Sequence, residues 1–234
     1  MEPTSRPRIK ICCIADRDEA RMAMHAGADA LGLVSTMPSG PGVIDESTIA
    51  DVAAATPPGI DSFLLTSRID TESIVEQARR CRPSVLQLVD AVAPTVHRAL
   101  RSALPGVRLV QVIHVVGPDS VAEAEHSART VDAILLDSGN PAAAVKELGG
   151  TGRVHDWTLS RTIRERLGKP IFLAGGLRPE NVGEAIRAVR PFGVDLCSGV
   201  RTDGRLDPVK LDRFVASVRA VASSDMARSS AGRS

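Results

Sequence analysis

Apolar and polar positions alternate along this chain on two length scales. Short apolar runs fall at residues 8–14, 30–34, 62–66, 85–89, 107–114, 134–137, 170–174 and 194–198, and a longer, half-polar segment follows each. The short runs predict strands buried on both faces. The segments at 17–26, 46–55, 71–81, 94–103, 120–129, 159–167, 179–189 and 208–221 predict helices packed on one side. Punctuation agrees with these bounds. Gly27 follows the first helix at a C-cap position and Asp45 precedes the second as an N-cap. Pro94 opens the fourth, where its missing N–H would go unpaired anyway.

Strict strand–helix alternation demands parallel strands joined by right-handed crossovers. About eight such units in 234 residues is the count of a single (β/α)8 TIM barrel with a parallel eight-stranded sheet, the expected α/β fold. An open doubly wound sheet is the competing arrangement. It would normally carry a glycine-rich turn after the first strand, and Cys12-Cys13-Ile14-Ala15-Asp16 has none. One domain is expected over 8–222. Residues 1–7 and the small, polar, arginine-tipped stretch 223–234 are expected to be flexible ends.

Composition narrows the function. Net charge is +1 and the arginines are scattered among acids, so no basic field points to nucleic acid. Aromatic residues make up 2%, with no Tyr and Trp157 as the single Trp, which leaves the core to Val, Leu, Ile and Ala. Cys12, Cys13, Cys81 and Cys197 have no C-x-x-C spacing, and the adjacent pair cannot readily bridge to itself, so reduced thiols in a cytoplasmic protein are expected. No stretch reaches the roughly 18 apolar residues of a membrane span, and the first seven residues lack a signal-peptide core. The five His are dispersed without metal-ligand spacing.

One strand ends oddly. Ile134-Leu135-Leu136 finishes on Asp137 just where Ser138-Gly139-Asn140-Pro141 begins a loop, and a buried strand gains nothing from a terminal carboxylate. In a barrel, the carboxyl ends of the strands converge on one mouth. They would bring Asp137 together with Cys12, Gly175-Gly176 and Ser198-Gly199. The glycines and the serine, near helix N-termini at the seventh and eighth strands, suit a phosphate dianion. A thiol facing a carboxylate, with no metal cluster, suits general acid–base work on a small phosphorylated molecule. Alternation along the first strand sends Lys10, Cys12 and Ile14 one way and Ile9, Ile11 and Cys13 the other, so one of the adjacent cysteines is expected to face inward. His114 is expected to be a satisfied structural histidine, and Cys81 a core residue.

These residues resemble the phosphoribosylanthranilate isomerase family of tryptophan biosynthesis. Lys10-Ile11-Cys12 is similar to its opening K-I-C-G, and Ala26-Gly27-Ala28-Asp29-Ala30-Leu31-Gly32 to the approach to its second strand. Leu135-Leu136-Asp137, Gly149-Gly150-Thr151-Gly152 with Asp156-Trp157, Leu173-Ala174-Gly175-Gly176-Leu177 with Pro179-Glu180-Asn181-Val182, Gly193-Val194-Asp195 and Ser198-Gly199-Val200 follow in the family's order. The resemblance implies an Amadori rearrangement of an N-linked ribosylamine 5-phosphate. Asp137 is then the general acid that opens the sugar ring, and Cys12 the general base at the second sugar carbon. It also adds Gly150 and Asp156 to the substrate- and phosphate-binding set of Gly175, Gly176, Ser198 and Gly199. No metal or organic cofactor is implied.

Four departures bear on the substrate. The family's arginine in the loop after the second strand is absent from Ser39-Gly40-Pro41-Gly42-Val43, where Gly42 stands in its place. Val89 stands for a histidine, Cys13 for a glycine and Arg201 for an acid. A lost bidentate arginine contact costs about 1.5–3 kcal/mol, which asks for compensation from Arg68, Arg201 or Asp90. Three readings follow: the isomerase itself, a paralogue acting on another phosphorylated aminosugar or metabolite, and a non-catalytic phosphate binder. Retention of both Cys12 and Asp137 favours catalysis. The expected partner is a small phosphorylated substrate, with no nucleic acid and no membrane, in a monomer or homodimer.

Overall fold

The computed structural model closes eight parallel strands into a barrel. It describes residues 6–139 and 155–231, with side chains as far as Val221. The strands are β1 (Arg8–Ile11), β2 (Ala30–Val34), β3 (Asp61–Thr66), β4 (Val85–Leu88), β5 (Arg108–His114), β6 (Ala133–Asp137), β7 (Ile171–Leu173) and β8 (Gly193–Leu196). Each pairs with its neighbour in chain order, and β1 pairs with β8 to close the ring, with Lys10 opposite Asp195 and Ile11 opposite Leu196. Between them run α1 (Arg17–Ala26), α2 (Glu46–Ala55), α3 (Thr71–Cys81), α4 (Pro94–Ala103), α5 (Asp119–Ala128), α6 (Trp157–Arg166) and α7 (Val182–Val189), and α8 (Pro208–Ala231) ends the chain.

Local signals start and stop these elements. The Asp16 carboxylate accepts from the N–H groups of Asp18 and Glu19, and Asp45 and Asp70 cap α2 and α3 in the same way. Gly27, at φ +107°, adopts the left-handed turn that returns its N–H to the last carbonyls of α1. The period-2 alternation of the strands then separates two apolar layers. Ile9, Ile11, Leu31, Leu33, Leu64 and Leu86 face the helices, while Ala30, Phe63, Val85, Val110, Leu135 and Phe172 fill the barrel. Three of the four Phe residues sit together there, Phe172 meeting Phe63 and Phe192 edge-on at 5.7 and 5.5 Å. Gly193 is required at that level, because a Cβ would lie 2.6 Å from the Phe172 ring.

Three features differ from the sequence expectation. A 3-10 turn (Ser198–Val200) and a small hairpin of β9 (Arg201–Thr202) and β10 (Arg205–Leu206) intervene between β8 and α8. Helix α7 begins three residues late, because Asn181 accepts from Arg178 N and donates to Gly176 O, folding 177–181 into a turn. The backbone of α8 runs to Ala231, past the expected helix end at 221. No Gly or Pro falls between 209 and 231 to stop it, and small polar composition alone does not break a helix.

Candidate active site

Cys12 follows β1 and Asp137 ends β6, and the barrel brings the two to one cleft at the carboxyl ends of the strands. They are only 6% and 8% exposed. Gly175, Gly176 and Ser198 line the same cleft. The Cys12 N–H is held by Leu196 O at 2.8 Å, and Asp137 Oδ1 accepts from Ser138 N at 2.7 Å. Burial raises the Asp137 carboxyl above the ordinary carboxylate range, so it can keep a proton to give away.

Below Cys12 lies a fully buried Lys10. Its ammonium bonds to Asp195 Oδ1 at 2.9 Å and sits 5.1 Å above the Phe63 ring. Burial alone would lower Lys10, but Asp195 and Cys12 together hold it above its usual value, so it stays charged. Burial pushes the Cys12 thiol up to about 11, and the Lys10 charge pulls against that rise. Gly32 on β2 makes this contact sterically accessible. A Cβ there would be 2.8 Å from Cys12 Sγ and 3.0 Å from Lys10 Nζ.

His114, at the end of β5, stands beside Asp137 in register. Its Nε2 donates to Val89 O at 3.1 Å, while Nδ1 has no hydrogen-bond partner among the described residues. It is therefore only half satisfied. An imidazole is present at this level of the barrel even though position 89 holds Val.

Across the mouth, Gly175 and Gly176 take φ values of +83° and +62° that a side chain would strain. A Cβ on Gly175 would come within 2.9 Å of Ser138 Oγ and 3.1 Å of His155 Nδ1, and one on Gly199 would collide with Leu177 O. Glycine at both positions lets these turns pack closely against Ser138 and Leu177, and of the two only Gly175 lines the cleft. Asp156 takes a different place from the one the resemblance implies. Its carboxylate caps α6 by accepting from Thr158 N at 2.7 Å, and it does not line the cleft. Gly150, with the 149–152 run, lies outside the described residues.

The cysteines correct two expectations. Cys13 leaves the strand with φ +63°, so alternation stops before it and its side chain turns into the mouth beside Cys12. There it forms a disulfide with Cys197, at a Cα separation of 5.8 Å, so the four thiols are not all reduced. Cys81 is core, as expected.

Cys13 also explains why position 42 carries no side chain. Gly42, at φ +76°, packs so closely that a Cβ would collide with Cys13 Cβ and lie 3.1 Å from its Sγ. Arg201 does not replace the absent arginine. It is tied to the buried Glu19 at 3.0 Å and donates to the carbonyls of Cys12 and Cys13. Arg68 pairs with Glu46 at 3.2 Å.

Sequence reasoning passed over Lys10, Gly32 and Asp195 as site residues. Charged residues at inward positions of apolar strands were the available signal, but their meeting depends on the β1–β8 register.

A buried thiol and a buried carboxyl in one barrel mouth, with two glycine turns and a serine at its rim, define the class: a (β/α)8 barrel with its candidate site at the carboxyl ends of the strands. Residues 9–217 match the family described as N-(5'phosphoribosyl)anthranilate (PRA) isomerase, and the chain belongs to it. It is 39% identical over 211 residues to an N-(5'-phosphoribosyl)anthranilate isomerase of Halorubrum lacusprofundi, covering 89% of this chain and 95% of that protein. A Methanosarcina mazei isomerase is 37% identical over 210 residues, covering 89% and 92%. Among solved structures, the phosphoribosyl anthranilate isomerase of Thermotoga maritima superposes with a TM-score of 0.79 at 27% identity, covering 92% of this chain and 99% of that one. Another, in complex with reduced 1-(o-carboxyphenylamino)-1-deoxyribulose 5-phosphate, gives 0.76 at 26% with the same coverage.

Proposed function

We propose that this chain carries out the family's isomerisation of N-(5'-phosphoribosyl)anthranilate, a step of tryptophan biosynthesis, with Asp137 as general acid and Cys12 as general base. The observation that carries the assignment is the burial of both groups in one cleft, with the Lys10 ammonium set beneath the thiol. The substrate phosphate rests on the backbone of Gly175, Gly176 and Gly199 and on the Ser198 hydroxyl. Asp137 gives its proton to the furanose ring oxygen, the bond from that oxygen to the first sugar carbon breaks, and the nitrogen lone pair forms a Schiff base. The Cys12 thiolate then removes the proton from the second carbon. The resulting enolamine relaxes to the aminoketose, and return of the proton from Cys12 to Asp137 resets the site.

All assigned residues come from one subunit, so monomer and homodimer are both compatible with the reading. Among the described residues no helix is long and apolar enough to cross a membrane, and we place the enzyme with its charged, membrane-impermeant substrate in the cytoplasm.

One observation favours a second reading, action on another phosphorylated aminosugar: Arg68 and Arg201 are both engaged elsewhere rather than facing the cleft as replacements. The same assay separates the two. Purified protein is expected to abolish the fluorescence of the anthranilate ribosylamine. No decay at micromolar enzyme would leave the second reading standing. Cys12→Ser and Asp137→Asn should each lower kcat by about 10²–10⁴ with an unchanged circular dichroism spectrum. Wild-type rates in either variant would overturn that residue's role.

A further inference from the structure

The proton-transfer chemistry makes no use of the disulfide at the mouth. Cys13 directly follows the base, Cys197 directly precedes Ser198, and both line the cleft. The bond therefore joins the base end of the site to the phosphate end across the seam where β1 meets β8. We infer that the Cys13–Cys197 pair is a reversible redox-modification site that exchanges with low-molecular-weight dithiols and sets how firmly the phosphate cradle is held. The inference rests on this cleft being the substrate mouth.

Three observations give it a mechanism. First, Cys13 has nowhere to retreat. Its carbonyl is held by the Arg201 guanidinium, and the 40–43 loop lies against its side chain so closely that Gly42 has no room for a Cβ. Two unbonded thiols need more separation than two bonded sulfurs. Opening the bond therefore displaces Cys197, and with it the turn that begins at Ser198. Second, access is unequal: Cys197 is partly exposed while Cys13 is 5% exposed, which makes Cys197 the more approachable half of the bond. Third, the other two cysteines are less reactive toward exchange. Cys12 lines the cleft but is 6% exposed, with its thiol pushed up to about 11 by burial, and Cys81 is buried beside Glu46 O at 3.8 Å.

One thiolate of the dithiol attacks Cys197 Sγ, the sulfur–sulfur bond breaks, and Cys13 leaves as a thiolate that takes up a proton. The second thiol of the reagent then displaces Cys197 from the mixed disulfide. The protein gains two electrons and two protons, and the dithiol becomes a cyclic disulfide.

The test uses the full chain equilibrated with oxidised or reduced dithiothreitol, then denatured in iodoacetamide and weighed. Two alkylated cysteines are expected after the oxidised buffer and four after the reduced one. Reduction should raise KM for the phosphoribosyl substrate and the inhibition constant of inorganic phosphate by about fivefold, the scale of a lost preorganisation, and change kcat less than twofold. Cys197→Ser and Cys13→Ala should behave alike in both buffers and match the reduced wild type. Four alkylated cysteines in the oxidised buffer would overturn the inference, and so would equal phosphate affinity in the two states. Thermal shift with inorganic phosphate reads that affinity without turnover. A protein inactive in both buffers would thus count against the isomerase reading, while the phosphate measurement still decides the redox claim.

Discussion

Asp137 and Cys12 are both raised above their ordinary ranges because both are buried, yet the proposed mechanism needs the proton on the carboxyl and off the thiol. The productive pair and its mirror image, thiol with carboxylate, carry the same net charge. Solution pH cannot choose between them, and the local field must. Lys10 supplies that field, since its ammonium lowers both groups and interacts more strongly with the nearer thiol. Lys10→Met should therefore raise both values. The acid limb of the kcat/KM profile is expected to move to higher pH, and its maximum to fall by about tenfold or more. Iodoacetamide reactivity of Cys12 against pH gives an independent check. An unmoved profile would leave Lys10 a packing residue. Lys10 was legible as part of a motif, but its charge was not legible as a tuning device, because Asp195 reaches it only through strand pairing.

Elements place these groups more strictly than side-chain type does. Strand β2 passes β1 at Gly32, and the absent Cβ leaves the space in which Lys10 Nζ approaches Cys12 Sγ. Gly32→Ala should push these two groups apart and lower kcat by about ten- to a hundredfold, at a stability cost of about 1–3 kcal/mol from overpacking. Rates and a urea titration measure the two effects separately, and a wild-type kcat would show that the approach is not needed. Gly32 reads in sequence as an ordinary strand glycine. Its neighbours are 20 and 22 positions away and belong to another strand. The short hairpin β9–β10 also escaped sequence reading, for a similar reason: two-residue strands carry no periodicity.

At the scale of the whole molecule, the two ends of the chain meet where β1 pairs with β8, and a buried ion pair joins them beyond that seam. Glu19 on α1 accepts from Arg201 and from the backbone N–H groups of Ala15 and Leu206, and it is 3% exposed. Burial pushes its carboxyl up, but the Arg201 and backbone hydrogen bonds prevail and hold it below the usual range. A folded value below the unfolded one means the stabilisation is present above pH ~4.3 and is lost as pH falls through the folded value. Glu19→Ala should cost about 3–5 kcal/mol near neutral pH by leaving a buried guanidinium without its partner. Glu19→Gln should flatten the acid side of the stability curve. Urea midpoints between pH ~3 and ~7 test both, and an unchanged midpoint would make this contact dispensable.

The alternation of apolar runs and caps, with no glycine-rich turn after the first strand, pointed to the eight-unit barrel over an open sheet and marked the strand ends that hold Cys12, Asp137, Gly175, Gly176 and Ser198. Those properties follow from local periodicity and from the rule that parallel neighbours need a crossover. The tertiary structure alone decided the rest. It ended the first strand at Cys13 with a left-handed backbone and joined that residue to Cys197 across 184 positions. It made Asp156 a helix cap, and it set Lys10 and Asp195 beneath Cys12. Each depends on which side chains a closed ring of strands brings within a few ångströms, and no local pattern in a chain records that distance.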